Sequence, residues 1–286
     1  MRTSDRPSSY MFIALETAVL AYSVATSQVV RTLQPMNGHS IIGYKLSPNN
    51  QEHLYIFTSA GSISKWNWVS GEQLSRLDTD RHILFVELTC VEFENNSHIL
   101  FYFLRERTDG MREITVLPSD GQLSSDHLGS EYVILESHVP ITGLKVASQS
   151  FSVVAYGGER FLTGTHVATE SEVRAKMHYT WREVSLPTAI TSLDIQCSSH
   201  TRSEVSRNGR LADMAIALGQ ADGSILIYHD ILSSALDRKG NDGVRRGVAP
   251  RRLHWHRGRV STIRWSKDGM SLGGGAYGTF ANSSYR

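Results

Sequence analysis

The chain has 286 residues, 40% hydrophobic and 20% charged, an ordinary globular balance with enough apolar side chains to bury a sizeable core. A net charge of +1 rules out naming a partner from overall charge, so only local clusters carry that information. The apolar run from Met11 is broken by Glu16 and too short to span a membrane, and no signal peptide is evident.

In chain order, Met11 to Leu15 and Ala18 to Val24 predict two strands joined at Glu16-Thr17, and Gln28 to Leu33 a third. They read as the last three strands of a four-stranded unit whose innermost strand has no counterpart in the polar stretch Met1 to Tyr10. The second unit is complete. Gly38-His39 opens it, Ile41 to Leu46 is a strand, and Ser47-Pro48-Asn49-Asn50 is a turn. Leu54 to Ser59 follows, then the tight turn Ala60-Gly61. Between Gly61 and Gly71, residues Ile63, Lys65 and Asn67 alternate with Ser64, Trp66 and Trp68, the period of a strand with one buried face. Glu72 to Leu77 is the outer strand. This order, ending its third strand in Trp-Asn, is the layout of one WD40-type β-propeller blade, with Trp66-Asn67 in the place of Trp-Asp.

The third unit has His82 to Thr89, Ile99 to Leu104 and Glu113 to Leu117, closed by Pro118-Ser-Asp-Gly121. The fourth has Ile141 to Ala147, Phe151 to Tyr156, the Gly157-Gly158 hairpin, Arg160 to His166, and Met177 to Val184 outermost. The fifth has Ala189 to Ile195, Met214 to Gly219, the Asp222-Gly223 hairpin and Ser224 to Asp230, with polar loops at Ser198 to Arg210 and Ser233 to Arg252. The sixth puts His256 at the Gly-His position, then Val260 to Ser266, the turn Lys267-Asp268-Gly269, and Ser271 to Tyr277, with no third strand before Arg286. Unit starts are spaced by roughly 45 to 70 residues, a little above the WD40 period of about 40–45, with loops absorbing the excess. No long amphipathic helix competes, so an α/β fold is disfavoured. The expectation is an all-β, WD40-type β-propeller that is incomplete, with about five to six blades of a seven-bladed ring and apolar edges exposed near Tyr10 and Tyr277.

Cys90 and Cys197 lie in or beside apolar runs with no Cys-x-x-Cys neighbour and read as buried thiols of a reducing compartment. Tyr22 to Ser27, Val30 to Leu33, Gly38-His39, Leu46 to Asn50 and Gly61 to Trp68 together carry a family resemblance, as do Leu253-His-Trp-His256 and Val260 to Ser266 with Asp268-Gly269. In these stretches the chain resembles the WD-repeat subunit of the UtpA (t-Utp) subcomplex of the small-subunit processome. The resemblance implies a non-enzymatic scaffold of the nucleus and nucleolus, without cofactor or metal. Its implied partners are sister processome subunits and the early 5′ part of pre-ribosomal RNA, whose transcription and cleavage it supports. Such subunits carry two propellers and a helical C-terminal region. On this resemblance residues 1–286 are expected to correspond to the first propeller, with the second propeller and the C-terminal region absent.

Arg238 to Arg264 holds nine Arg or Lys against one acid, Asp242. Arg245, Arg246, Arg251, Arg252, Arg257 and Arg259 are the candidate RNA-backbone contacts, because guanidinium forks suit phosphate oxygens. A solvated surface loop is the competing reading. His254 and Trp255 are candidate base-stacking groups, although Trp255 and Trp265 read better as core. In WD40 blades a loop His, a Ser or Thr of strand two and the Trp of strand three can hydrogen-bond with a hairpin Asp. His39, Ser59 and Trp66 fit, with Asn67 beside them, but Ala60 stands where the Asp belongs. Asp222 and His256 occupy such structural places in the later units. Gly273 to Gly278 matches G-x-G-x-x-G, but no helix follows to hold a pyrophosphate. No nucleophile elbow or metal-ligand spacing is present. Two rivals remain: a WD40 adaptor of another pathway, such as a ubiquitin-ligase substrate receptor, and a propeller hydrolase with carboxylates converging at its channel.

Overall fold

Apolar runs rich in β-branched and aromatic residues, each cut by glycine or polar turns, fold into six antiparallel sheets. The computed structural model describes residues 9–35, 38–79, 81–93, 96–119, 123, 130–147, 152–166, 178–197, 214–229, 249–254, 256–266, 271–276 and 279–284. The first sheet orders β1 (Tyr10–Ala14), β2 (Val19–Ser23) and β3 (Gln28–Leu33). The second orders β4 (Ile41–Leu46), β5 (His53–Thr58), β6 (Ser62–Asn67) and β7 (Glu72–Asp78). The third has β8 (Phe85–Phe93), β9 (Asn96–Glu106), β10 (Arg112–Ser119) and β11 (Tyr132–Ser137). These sheets lie in one unit, which runs up to His138.

A second unit begins at Val139. Its sheets are β12 (Gly143–Ala147), β13 (Ser152–Gly157), β14 (Arg160–Thr165) and β15 (Thr180–Ser185); then β16 (Ile190–Cys197), β17 (Met214–Gln220), β18 (Ser224–Tyr228) and β19 (Arg251–His254). The last sheet orders β20 (Val260–Trp265), β21 (Ser271–Ala276) and β22 (Thr279–Ser284). Every sheet is a meander of neighbours in sequence.

Within each unit, neighbouring sheets share apolar layers. Val19, Ala21 and Leu33 of the first sheet meet Leu54, Ile56 and Trp66 of the second. Tyr55, Phe57 and Ile63, on the second sheet's other face, meet Val86, Ile99, Phe101 and Phe103 of the third. Phe101 packs edge-on against Tyr55 at 5.2 Å and stacks with Phe103. In the second unit, Val154 and Phe161 meet Ile216, Leu218 and Tyr228, while Ala217, Ile225 and Ile227 meet Val260, Ile263 and Leu272. An inner sheet is therefore covered on both faces. This is why β6 buries Ser62, Ile63, Ser64 and Trp66 together and does not keep the single buried face its alternation predicts.

Several expectations need correction. The last sheet has a third strand: β22 pairs with β21 over six register positions. Its Ser and Asn content hid it. Arg251 and Arg252 are not loop residues; they lie on β19, which pairs with β18 and completes the fifth sheet. Tyr132–Ser137 forms the fourth strand of the third sheet, which the sequence reading left unassigned. Pro118 lies inside β10 and not in the closing turn. It pairs with Leu100 on one side, and on the other β11 pairs no further along β10 than Val116, so the missing N–H disrupts no ladder there. Cys90 is half-buried, not buried. The polar insertion Ser198 to Arg210 lies outside the described residues.

Candidate functional site

The structured part of the basic stretch runs from Arg251 to Arg264, across β19, a short connection and β20. It is built on the hairpin between β17 and β18. Gly223 turns that hairpin with φ 87°, the left-handed region that favours glycine. A Cβ there would stand 2.0 Å from the His256 carbonyl oxygen, so the connection after β19 lies directly over the hairpin. His256 is buried, with Nε2 3.3 Å from where a Gly274 Cβ would stand, so the ring has a packed structural setting.

Asp222 organises the corner. Its Oδ1 accepts from the Ser224 backbone N–H at 2.9 Å and hydroxyl at 2.6 Å. Its Oδ2 accepts from Arg252 Nη2 at 2.9 Å. The Ser224 hydrogen bonds, with help from Arg252, hold the carboxyl below its ordinary range, against the opposing effect of partial burial. Arg264 reaches Asp194 at 3.4 Å, and the same carboxylate accepts from the Trp265 backbone N–H at 2.8 Å.

The six candidate RNA-contact arginines therefore divide. Arg245 and Arg246 lie outside the described residues. Arg251 and Arg252 are exposed on β19, with Arg252 paired to Asp222. Arg257 and Arg259 flank Gly258 on the exposed connection, and among the described residues no acidic side chain pairs with either. Nothing crowds Gly258. The turn thus presents two guanidinium groups to solvent, an arrangement suited to phosphate oxygens. His254 is exposed on β19, Trp265 packs against the core, and Trp255 lies outside the described residues.

Among the described residues, no hydrogen bond joins His39, Ser59 and Trp66. His39 is exposed. Ser59 acts through its backbone, donating to Ser40 and accepting from Ile83. The Trp66 indole donates to Ser64 Oγ at 2.9 Å, two residues back on its own strand. With Ala60 at the hairpin, no carboxylate is present to gather the three. Asn67 closes the next turn, its Oδ1 accepting from the N–H groups of Val69 and Ser70.

A second corner in the first unit escaped the sequence reading. Ser62 donates to Asp78, and Arg76 binds Asp78 through Nε at 3.0 Å and Nη2 at 2.8 Å. Arg76, and then Ser62, pull the Asp78 carboxyl below its ordinary range. Arg105 is almost wholly buried, pairs with Glu131 at 2.8 Å and lies over the Phe103 ring. Burial pulls its guanidinium below the usual range, and Glu131 partly offsets this. The available signal was the outer-strand motif Arg-x-Asp.

Among the described residues, no group of three His, Cys, Asp or Glu side chains is placed to hold a metal ion, and no helix is long and apolar enough to cross a membrane. The stacked four-stranded meanders define a WD40-type β-propeller fold. The chain is similar to human WD repeat-containing protein 75, 24% identical over 275 residues that cover 93% of this chain and 28% of that protein. The chain thus spans less than a third of its relative's length. No family model matches. Among solved structures, it resembles BBS1N, crystallised in complex with ARL6DN, with a TM-score of 0.59 at 12% identity over 93% of this chain and 71% of that one. The computationally designed Ika8 protein matches with a TM-score of 0.54 at 15% identity, over 96% of this chain and 68% of that one. At these identities the structural likeness speaks for the fold alone. The similarity to a WD repeat-containing protein agrees with the propeller fold.

Proposed function

We infer that this chain is a non-enzymatic WD40 scaffold of ribosome biogenesis. It supports pre-ribosomal RNA transcription and small-subunit rRNA processing in the nucleolus as part of the small-subunit processome. The observation that carries this reading is the similarity to WD repeat-containing protein 75 along 93% of the chain. The resemblance to UtpA WD-repeat subunits in the opening blades and around His256 agrees with it. On this reading residues 1–286 correspond to the first propeller of such a subunit. Processome subunits bind the propeller faces. Arg257 and Arg259, with Arg251 beside them, contact the RNA backbone without base specificity and in a salt-sensitive way.

Pull-down of the tagged chain from cell extract, with RNA sequenced and proteins identified, tests this. The expected result is enrichment of 5′ pre-ribosomal transcript and processome subunits. Recovery of protein partners of another pathway without RNA would favour the WD40 adaptor instead.

A further inference from the structure

The connection between the fifth sheet and the last, both in the same unit, is pinned at each end and open in the middle. Before it, the His256 carbonyl lies over the Gly223 hairpin. After it, Val260 is buried, and its carbonyl accepts from Thr191 Oγ1 at 2.6 Å and Ser192 Oγ at 3.0 Å. Arg257, Gly258 and Arg259 span the gap, and all three are exposed.

The local fold does not require a glycine at 258. Its carbonyl oxygen turns toward the hairpin, 3.0 Å from where a Gly223 Cβ would stand, but a Cβ on Gly258 itself would meet nothing within 4 Å. Gly61 and Gly223 hold left-handed backbone, and Gly258 does not. What the glycine does is leave the backbone beside Arg257 bare, so that another surface can approach it closely.

Arg257 also differs from other arginines in its charge setting. Arg107, Arg112, Arg160, Arg252 and Arg264 each pair with a carboxylate. Among the described residues no acidic side chain pairs with Arg257. Arg259 shares that setting, but the residue after it is the buried Val260, held in β20. The sequence holds one other Arg-Gly step, Arg246-Gly247, which lies outside the described residues.

We propose that Arg257 is a methylation site, the substrate of a protein arginine methyltransferase that uses S-adenosylmethionine. Such an enzyme draws an extended guanidinium into a pocket of carboxylates while its walls close on the neighbouring backbone. Arg257 offers an exposed guanidinium with no acid of its own to surrender, and Gly258 offers the bare backbone. In the transfer, a guanidinium nitrogen attacks the methyl carbon of the sulfonium. The carbon–sulfur bond breaks with its electron pair going to sulfur, which leaves as a neutral thioether, and the nitrogen's proton passes to a carboxylate of the enzyme. Arg257 keeps its positive charge but has one N–H fewer for a bidentate phosphate contact. The site stands independently of RNA binding; its effect on RNA rests on the function proposed above.

Incubation of the folded full chain with labelled S-adenosylmethionine tests this, using an asymmetrically and a symmetrically dimethylating arginine methyltransferase in parallel. Mass spectrometry locates the modified residue. Arg257 is expected to take up methyl groups, while Arg252, Arg259 and Arg264 do not. Gly258→Val, which the open space accommodates, should leave circular dichroism unchanged and lower uptake at Arg257 about tenfold by covering the backbone. The modified chain should bind a 5′ pre-ribosomal RNA fragment more weakly at an unchanged salt slope, because its charge is retained. A chain that binds no RNA before or after modification would remove the RNA reading and leave the methylation site standing. No uptake at Arg257 with either enzyme overturns the proposal, as does uptake by Gly258→Val equal to that of wild type.

Discussion

Two hairpin corners, one in each unit, use the same device and end differently. In the second sheet, Gly61 (φ 93°) turns beneath the Arg81 carbonyl, and a Cβ would stand 2.3 Å from that oxygen. In the fifth sheet, Gly223 does the same beneath His256. Each third strand opens with a serine whose hydroxyl binds an aspartate, and each outer strand supplies an arginine to that aspartate. The arginines are positionally equivalent: Arg76 lies opposite Ser64 and Arg252 opposite Leu226, each two residues beyond the corner serine. The acid differs. Asp78 lies on the outer strand, where the fifth sheet has His254, so the fifth sheet draws its acid from the hairpin as Asp222. The covering connections differ more. Over Gly61, Thr79 accepts from buried Arg105, which is paired with Glu131. Over Gly223 the connection runs into Arg257 and Arg259 at the surface. The first corner consumes its charges in structure, while the second has cations to spare.

The largest effects should come from breaking the first corner. Arg105→Met leaves Glu131 without its partner and should cost about 3–5 kcal/mol in urea unfolding. Gly61→Ala and Gly223→Ala combine left-handed backbone with a carbonyl clash, and each should cost about 3 kcal/mol. Gly110, at φ 80° with nothing within 4 Å, separates the two causes. Gly110→Ala should cost only about 1 kcal/mol. The carboxylates come next. Asp78 and Asp222 have lowered folded values, so their contribution is complete above the unfolded carboxylate value of about 3.9 and disappears as pH falls through the lowered one. The thermal midpoint of Asp78→Asn/Asp222→Asn should therefore drop less than that of wild type on acidification below about pH 4. The smallest effect is expected from Arg252→Ala on polyanion binding. That arginine already serves Asp222, so the change in affinity should stay within about twofold.

Much of the architecture was legible because period-two runs and glycine turns are local signals. The second sheet could be followed strand by strand, and the hairpins at Gly61 and Gly223 could be seen directly. The outer strands were harder. β19 carries Arg-Arg-Leu-His and β22 is rich in Ser and Asn. Pairing with β18 and β21, not propensity, makes them strands. The basic stretch was visible as a cluster, but not its division. Arg252 and Asp222 are 30 residues apart in sequence and meet only because β19 folds back on β18. That the Trp66 network lacks its carboxylate at Ala60 was visible, but not where the indole turns instead. A motif fixes positions, but the partner of an indole N–H depends on which hydroxyl the strand brings near, and that is Ser64.

On the proposed function, the chain is a scaffold whose spare cations, Arg257 and Arg259, meet an RNA backbone. The most direct test is the salt dependence of binding between the folded chain and a 5′ pre-ribosomal RNA fragment. The account predicts that Arg257→Ala/Arg259→Ala lowers the slope of log affinity against log salt by about 1.5 to 2, while Arg252→Ala leaves it unchanged. Equal slopes for wild type and the double variant, or a loss confined to Arg252→Ala, would contradict it.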